Sequence, residues 1–380
     1  MKIAMAAAYD IKKQSSWSGT PWSLWNGLCG IDGFEIETIN LSDYHTERDK
    51  KRNIFSNLDL KASIKQRAPV SKLGPAVMNP LNSRILSEIC EKNDFDAVIQ
   101  FGGFRMTGTS VPYYIYTDSS HDMSLRFHSE HGHMPHNNLY SVEEMQRAAE
   151  FVRPIYREAA GVFCMSDYLA DTMVNITGVD KSKVHTVYAG SNWHGVQPPT
   201  DIQPKSIHGK EKINLLFSGV DYKLKGADIV IEAVKRLNKE TDGRFTLHMC
   251  GIKQEIEADE NIINYGFVKK DKLLELLRLC DVFVLPTRFD CFGIAFTEAL
   301  AFGMPCIGRK ICAVPEIIDE GKNGEMVTSD DPDELAALIM KIVSDGTLYS
   351  EYSKNAIEKA KIFTWDRVCG NIAEIIKNNG

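Results

Sequence analysis

The sequence contains neither a G-x-G-x-x-G nor a G-x-x-x-x-G-K-[ST]. A dinucleotide fingerprint and a Walker A loop are therefore excluded, and any phosphate-bearing ligand must be held another way. No C-x-x-C occurs, and the nine cysteines, Cys29, Cys90, Cys164, Cys250, Cys280, Cys291, Cys306, Cys312 and Cys369, are odd in number and widely spaced. They read as small apolar residues in a reducing, cytoplasmic compartment rather than as a disulfide or zinc framework. No apolar run approaches the roughly 20 residues of a membrane span, and Met1–Ala8 is too short for a signal sequence, so it reads as a first buried strand. The formal net charge of −7 excludes nucleic-acid binding driven by overall charge, leaving only the local basic cluster Lys50, Lys51 and Arg52. There is no internal repeat and no low-complexity segment.

What is present is ordinary for a soluble chain: 380 residues, 43% hydrophobic and 25% charged, enough for two cores. Short apolar runs alternate with helical patterns. Strands are expected at Ile3–Ala7, Phe34–Asn40, Ala97–Phe101, Tyr113–Thr117, Gly161–Met165 and Val184–Tyr188. Helices are expected at Asn82–Glu91, Val142–Ala159 and Tyr168–Thr177. The proline-rich stretch Gln197–Pro204 then reads as a linker. A second series follows, with strands at Ile213–Ser218, Phe245–Cys250, Asn261–Tyr265, Val282–Leu285 and Cys306–Gly308. Its helices are Ala227–Leu237, Lys270–Leu279, Ala295–Ala301 and Pro332–Val343. The pattern predicts an α/β chain of two doubly wound, Rossmann-like domains, 1–203 and 204–380, with ligands at the carboxyl ends of strands and the cleft between the halves as the natural site.

One segment carries chemistry. Asp290-Cys-Phe-Gly-Ile-Ala-Phe-Thr-Glu298 follows the apolar run Asp281–Thr287 and leads to Gly303 and Pro305. Gly293 permits a tight turn, a helix follows, Gly303 can end it in the left-handed conformation, and Pro305 stops its resumption. The helix N-terminus suits a phosphate. Glu298, on the first turns, can accept hydrogen bonds from the two vicinal hydroxyls of a ribose.

This segment resembles the acid-x7-Glu motif of family 4 retaining glycosyltransferases, which have the GT-B fold, and the resemblance covers nearly the whole chain. Leu216–Gly226 resembles the family's first strand and Lys-Gly loop. Val162–Ala170 and Val187–Asn192 resemble its late N-domain strands. Ala313–Ile318 resembles its G-x-P-E segment. Phe363–Asp366 resembles the start of the last helix (about 364–378), which in the family packs back on the first domain. The resemblance implies retaining transfer from a UDP- or GDP-sugar, with no cofactor and no metal. It implies that Glu298 binds the ribose and that Asp290 contacts donor-sugar hydroxyls. The backbone at Phe292, Gly293 and Ile294 would hold sugar and phosphate. Lys225 would pair with the diphosphate, and Gly219 would let the backbone approach it. Besides Ala313, where the G-x-P-E segment has glycine, two positions depart from the pattern: Asp290 stands where glutamate is usual, and Val220 where many members have arginine, for which Lys223 or another basic residue is a candidate substitute.

In the first half, Ser18-Gly19-Thr20-Pro21 reads as a loop capping a helix, and the resemblance makes Gly19 a donor contact. Asp118 and His121 both stand just past the strand Tyr113–Thr117, where the resemblance puts a residue near the reacting carbon. Either can orient or deprotonate an acceptor hydroxyl. His121, His128, His131, His133 and His136 cluster, but lack nearby cysteines, so a long polar acceptor loop is expected there rather than a metal site. Asp94-Phe95-Asp96 mimics a metal-binding D-x-D, yet its place between helix and strand favours a turn. The Asp43–Arg52 charge run reads as a solvated face, with peripheral membrane contact if the acceptor is lipid-linked. The expected function is transfer of a hexosyl or N-acetylhexosaminyl group to a glycan, a lipid-linked or a small-molecule acceptor. A sugar-nucleotide epimerase of related fold and a non-catalytic nucleotide-sugar-binding protein are the alternatives.

Overall fold

The computed structural model describes residues 1–46, 73–134, 141–192, 201–257 and 259–379. Lys50, Lys51, Arg52, the end of the Asp43–Arg52 run, His136 and residues 197–200 of the expected linker lie outside the described residues. The chain forms two compact units, Met1–Tyr188 with Trp365–Gly380, and Ala189–Thr364.

The first unit is built on a six-stranded sheet of β1 (Lys2–Ala7), β2 (Glu35–Asn40), β3 (Ala97–Phe101), β4 (Tyr113–Thr117), β5 (Gly161–Cys164) and β6 (Val184–Thr186). The order is β2-β1-β3-β4-β5-β6 and every pair is parallel. The inner strands β1, β3 and β5 are buried along nearly their whole length, as a parallel sheet covered on both faces requires. The final helix, Trp365–Asn379, belongs to this unit and buries Val368, Cys369, Ile372, Ala373 and Ile376. It lies against the helix Thr20–Leu28, where a Cβ on Gly27 would stand 2.5 Å from Cys369 Sγ. Glycine at 27 is what lets the two helices approach this closely.

The second sheet comprises β7 (Ile213–Ser218), β8 (Phe245–Cys250), β9 (Ile262–Asn264), β10 (Val282–Val284), β11 (Cys306–Arg309) and β12 (Gly324–Val327). Its order is β12-β11-β10-β7-β8-β9, again all parallel. The chain winds one way from β7 to β9 and the other way from β10 to β12. The switch point therefore falls between β7 and β10, where such sheets open a crevice at their carboxyl ends.

Two features differ from the sequence expectation. The division falls at 188/189 rather than 203/204. Ala189–Asn192 is tied into the second unit, because Ser191 N–H donates to Phe363 O at 3.0 Å and Ser191 Oγ donates to Thr297 Oγ1 at 3.0 Å. The run from His121 is not a loop but a helix to His131, capped by Ser120, whose side chain accepts from Met123 N–H, and ended at Gly132 with φ 76°. Its inner face carries Met123 and Phe127 together with the polar Asp122. That carboxylate is 2% exposed and is satisfied by three bonds from the Arg153 guanidinium and one from Thr177 Oγ1. A buried acid paired across helices hides the apolar stripe by which the helix would otherwise be read.

Candidate functional site

The β7–β10 switch point gathers most of the residues that the sequence singles out in the second unit. After β7, Gly219 N–H donates to Cys250 O at 3.0 Å, and the loop turns back through Asp221, whose carboxylate accepts from Leu224 N–H. A Cβ on Gly219 would lie 2.9 Å from Lys225 Cγ, so glycine there makes room for the lysine stem. Gly226, at φ 75°, caps the helix Ala227–Thr241.

After β10, Thr287 Oγ1 donates to Phe289 O at 2.7 Å, and Arg288 N–H donates to Leu224 O at 2.7 Å. The Arg288 bond joins the two loops backbone to backbone, and Thr287 Oγ1 adds a 3.2 Å contact to Leu224 O. Across this seam Lys225 Nζ reaches Asp290 Oδ2 at 2.7 Å and Phe289 O at 3.4 Å. Gly293 adopts φ 99°, a conformation that side-chain-bearing residues avoid, and caps the helix Ile294–Ala301 with no side-chain cap bond. The first N–H groups of an α-helix have no intrahelical acceptor and carry partial positive charge. The Phe292 side chain is 2% exposed and packs edge-on to Phe363, which leaves only its backbone for a ligand.

Glu298 lies on that helix and is 8% exposed. Its carboxylate accepts from Lys270 Nζ at 2.5 Å and from the backbone N–H of Asn192. Burial pushes its carboxyl above the usual carboxylate range, while the Lys270 charge and these two hydrogen bonds pull it back. Neither Lys270 nor Asn192 is visible in the sequence as a site residue: they stand 28 and 106 positions from Glu298 with no shared motif. Lys223 is turned away to Asp228 at 2.9 Å, and Val220 is exposed, so Lys223 is not standing in for an arginine at 220.

The loops that follow β7 and β8 also meet. Gly251, at φ 90°, would place a Cβ 2.4 Å from Gly219 O. Beyond it an open cleft of about 840 Å³ is lined by residues of 252–266, including Gln254, Asn264 and Tyr265.

The first-unit candidates lie at the carboxyl ends of β1 and β4. Trp17, Ser18 and Gly19 all have positive φ, at 45°, 54° and 83°. This run of left-handed residues turns the chain into the helix Thr20–Leu28. Trp17 Nε1 donates to Asp118 Oδ2 at 3.2 Å, and Ser119 Oγ donates to Asp118 Oδ1 at 3.0 Å. The Tyr9 hydroxyl lies near enough for the Asp118 charge to help burial push its pKa up. His121 occupies the first helical position after Ser120, and burial pulls its pKa below the ordinary value, against the opposing charge of Asp122. His121 is therefore neutral at neutral pH. Gly19 and Asp118 are joined through Trp17, and His121 opens the helix that follows Asp118 in the chain. Asp96 Oδ2 accepts from Lys2 N–H at 2.7 Å, which gives the D-x-D mimic a structural role. Among the described residues no group of histidine, cysteine and acidic side chains could hold a metal, and no helix is long and apolar enough to cross a membrane.

Residues 199–360 match the family model described as "Glycosyl transferases group 1". An uncharacterized glycosyltransferase of Methanocaldococcus jannaschii is 25% identical over 244 residues, 58% of this chain and 60% of that protein. The chain spans about half the length of the curated relatives it matches, 46% to 60% for the first four. Among solved structures, sucrose-phosphate synthase from Thermosynechococcus elongatus superposes with a TM-score of 0.72 at 13% identity, over 99% of this chain and 98% of that one. The Anabaena protein HepE, in complex with UDP and glucose, superposes with a TM-score of 0.64 at 15% identity over 99% of both chains. At such identities the superpositions show the fold. Residues 199–360 thus match the glycosyl transferases group 1 model, and the chain as a whole has the GT-B fold that the resemblance implied.

Proposed function

We propose that the chain is a retaining glycosyltransferase that takes a hexosyl or N-acetylhexosaminyl group from a UDP- or GDP-sugar and passes it to a glycan, a lipid-linked or a small-molecule acceptor. The observation that carries this reading is the Lys225–Asp290 pair at the β7–β10 switch point, set beside the glycine-capped helix that bears Glu298. The UDP and glucose held by the Anabaena neighbour support a UDP-sugar.

In this reading Glu298 accepts the ribose hydroxyls. The backbone at Phe292, Gly293 and Ile294 receives phosphate and sugar, and Asp290 takes the sugar hydroxyls. When the bond between the anomeric carbon and the phosphate oxygen breaks, negative charge builds on the leaving diphosphate. A lysine about 4 Å away contributes on the order of 4 kcal/mol at an effective dielectric near 20. The helix end adds at most about 2 kcal/mol. Lys225 is therefore the main electrostatic stabiliser of the departing group, and it fills the place of a metal. Asp118, held by Trp17 and Ser119, orients, whereas the neutral His121 is free to take a proton from the acceptor hydroxyl. Nine free thiols fit a cytoplasmic setting.

The test is incubation with a panel of UDP-, GDP- and ADP-sugars, with and without a glycan acceptor pool and with and without EDTA. The expected result is acceptor-dependent release of nucleoside diphosphate, a product with the donor's anomeric configuration, and no effect of EDTA. An inverted anomer overturns the retaining course. Isomerised donor formed without acceptor indicates an epimerase, and binding without turnover across the panel indicates a non-catalytic binder.

A further inference from the structure

The Glu298 carboxylate is nine-tenths buried and has a defined set of partners. An ionised carboxylate offers about four lone-pair positions. Lys270 Nζ occupies one, on Oε1 at 2.5 Å, and the Asn192 backbone N–H occupies another. Among the described residues no other partner of the carboxylate is seen, so two positions remain, the number that a vicinal diol fills when each hydroxyl donates once. We propose that Lys270 is a positioning residue for the nucleotide ribose: with the Asn192 N–H it holds the Glu298 carboxylate in place and leaves it two acceptor positions for the 2′- and 3′-hydroxyls. This deepens the proposed nucleotide-sugar reading and rests on it.

The geometry supports a built device rather than a chance pairing. Lys270 is the first residue of the helix Lys270–Leu279, and its side chain is only 16% exposed. An ammonium placed at a helix N-terminus opposes the helix dipole, so the position favours a lysine only if its partner compensates. Lys270 supplies the charge that bears on Glu298. Other contacts of the Glu298 helix and its C-terminal turn are Ser191 beside Thr297, Phe283 against Phe296, Ser353, whose hydroxyl donates to Gly303 O, and at the far end Arg278, whose guanidinium lies 5.7 Å over the Phe302 ring. Without Lys270, a carboxyl this buried would hold its proton to higher pH. A protonated carboxyl donates through one oxygen, and it would no longer present two acceptors to a diol.

The test measures Kd by calorimetry for UDP and 2′-deoxy-UDP, GDP and 2′-deoxy-GDP, and ADP and 2′-deoxy-ADP, from pH 5.5 to 8.5. The variants are Lys270→Met, Lys270→Arg and Glu298→Gln, with Lys270→Met/Glu298→Gln as a folded control lacking both charges. For whichever ribonucleotide the wild-type chain binds, Lys270→Met is expected to weaken binding roughly ten- to a hundredfold, as losing a charged hydrogen bond does. It is also expected to move the acid limb of binding to higher pH and to shrink the ribo-over-deoxy preference. Lys270→Arg restores most of each, and adding Lys270→Met to Glu298→Gln changes little. If the wild type binds no nucleoside diphosphate, the nucleotide-sugar reading falls and this inference with it. If the wild type binds but Lys270→Met keeps the ribo-over-deoxy ratio and the pH profile, the role of Lys270 is overturned while the nucleotide-sugar reading stands.

Discussion

Lys225 Nζ and Asp290 Oδ2 stand 2.7 Å apart, with their side chains 18% and 17% exposed, and they join the loops that follow β7 and β10. Each of the two has a second task in the proposed reaction, the lysine at the diphosphate and the aspartate at the sugar. Lys225→Met is expected to lower kcat by roughly 100- to 1,000-fold, the scale seen when one preorganised donor is removed from a developing oxyanion. It should also weaken nucleoside diphosphate binding. Steady-state kinetics on the donor found by the panel checks this, and a kcat within about tenfold of wild type counts against the assignment.

Asp290→Glu tests the shorter acid. The added methylene restores the length usual in family 4 but pushes the carboxylate into space now spanned by the 2.7 Å bond to Lys225. A misplacement of about 1 Å can cost on the order of 100-fold in rate. The expected outcome is a kcat loss of about that size on the native donor, with a melting temperature close to wild type because the ion pair survives. Comparing kcat/KM across UDP-sugars that differ in hydroxyl configuration checks whether Asp290 reads the sugar; an unchanged ranking and rate would show that it does not.

Periodicity was enough for nearly every strand, because parallel strands buried on both faces are continuous apolar runs: β1, β3, β7 and β8 begin and end within a residue of where the pattern puts them. The strand Gly324–Val327 was not legible, since Glu325 lies inside it, 2% exposed and bonded by the Tyr352 hydroxyl. A paired buried acid breaks an apolar run just as Asp122 does in the helix His121–His131. Chain motifs mark Gly293 and Glu298 because glycine and acid sit at fixed spacing on one strand–turn–helix. Lys270 and Asn192, the partners that set the electrostatics of Glu298, come from other parts of the chain. Their proximity is a product of sheet order, which no local spacing encodes.

The pH dependence of stability follows from His121. Burial lowers its folded-state pKa below the ordinary imidazole value, so the unfolded chain binds the proton more readily. The stability contributed by the neutral imidazole is complete above about pH 6.5 and is lost as pH falls from there through the folded pKa. Thermal melts between pH 8 and pH 5 are expected to show a steeper acid decline for the wild type than for His121→Asn. Parallel profiles for the two proteins would mean that His121 is not held neutral.

Arg288 controls the loop that presents Lys225. Its side chain is 23% exposed and makes bonds in three directions. Nε pairs with Asp330 Oδ2 at 2.8 Å, Nη1 and Nη2 pair with the Asp228 carboxylate at 3.0 and 3.1 Å, and Nη1 also donates to Lys223 O. The fork geometry of a guanidinium allows all of these at once, and an ammonium cannot reproduce it. Arg288→Met leaves Asp228 and Lys223 O to water and frees the 221–226 loop on one side. The expected cost in stability is about 1–3 kcal/mol, the usual range for a broken, partly buried charge network. The larger effect is on the reaction. With Lys225 no longer held within reach of Asp290, donor KM should rise and kcat fall together, and Arg288→Lys should recover little of either. Chemical denaturation alongside donor kinetics separates the two effects: a variant that loses stability but keeps both kinetic constants shows that Arg288 only braces the fold.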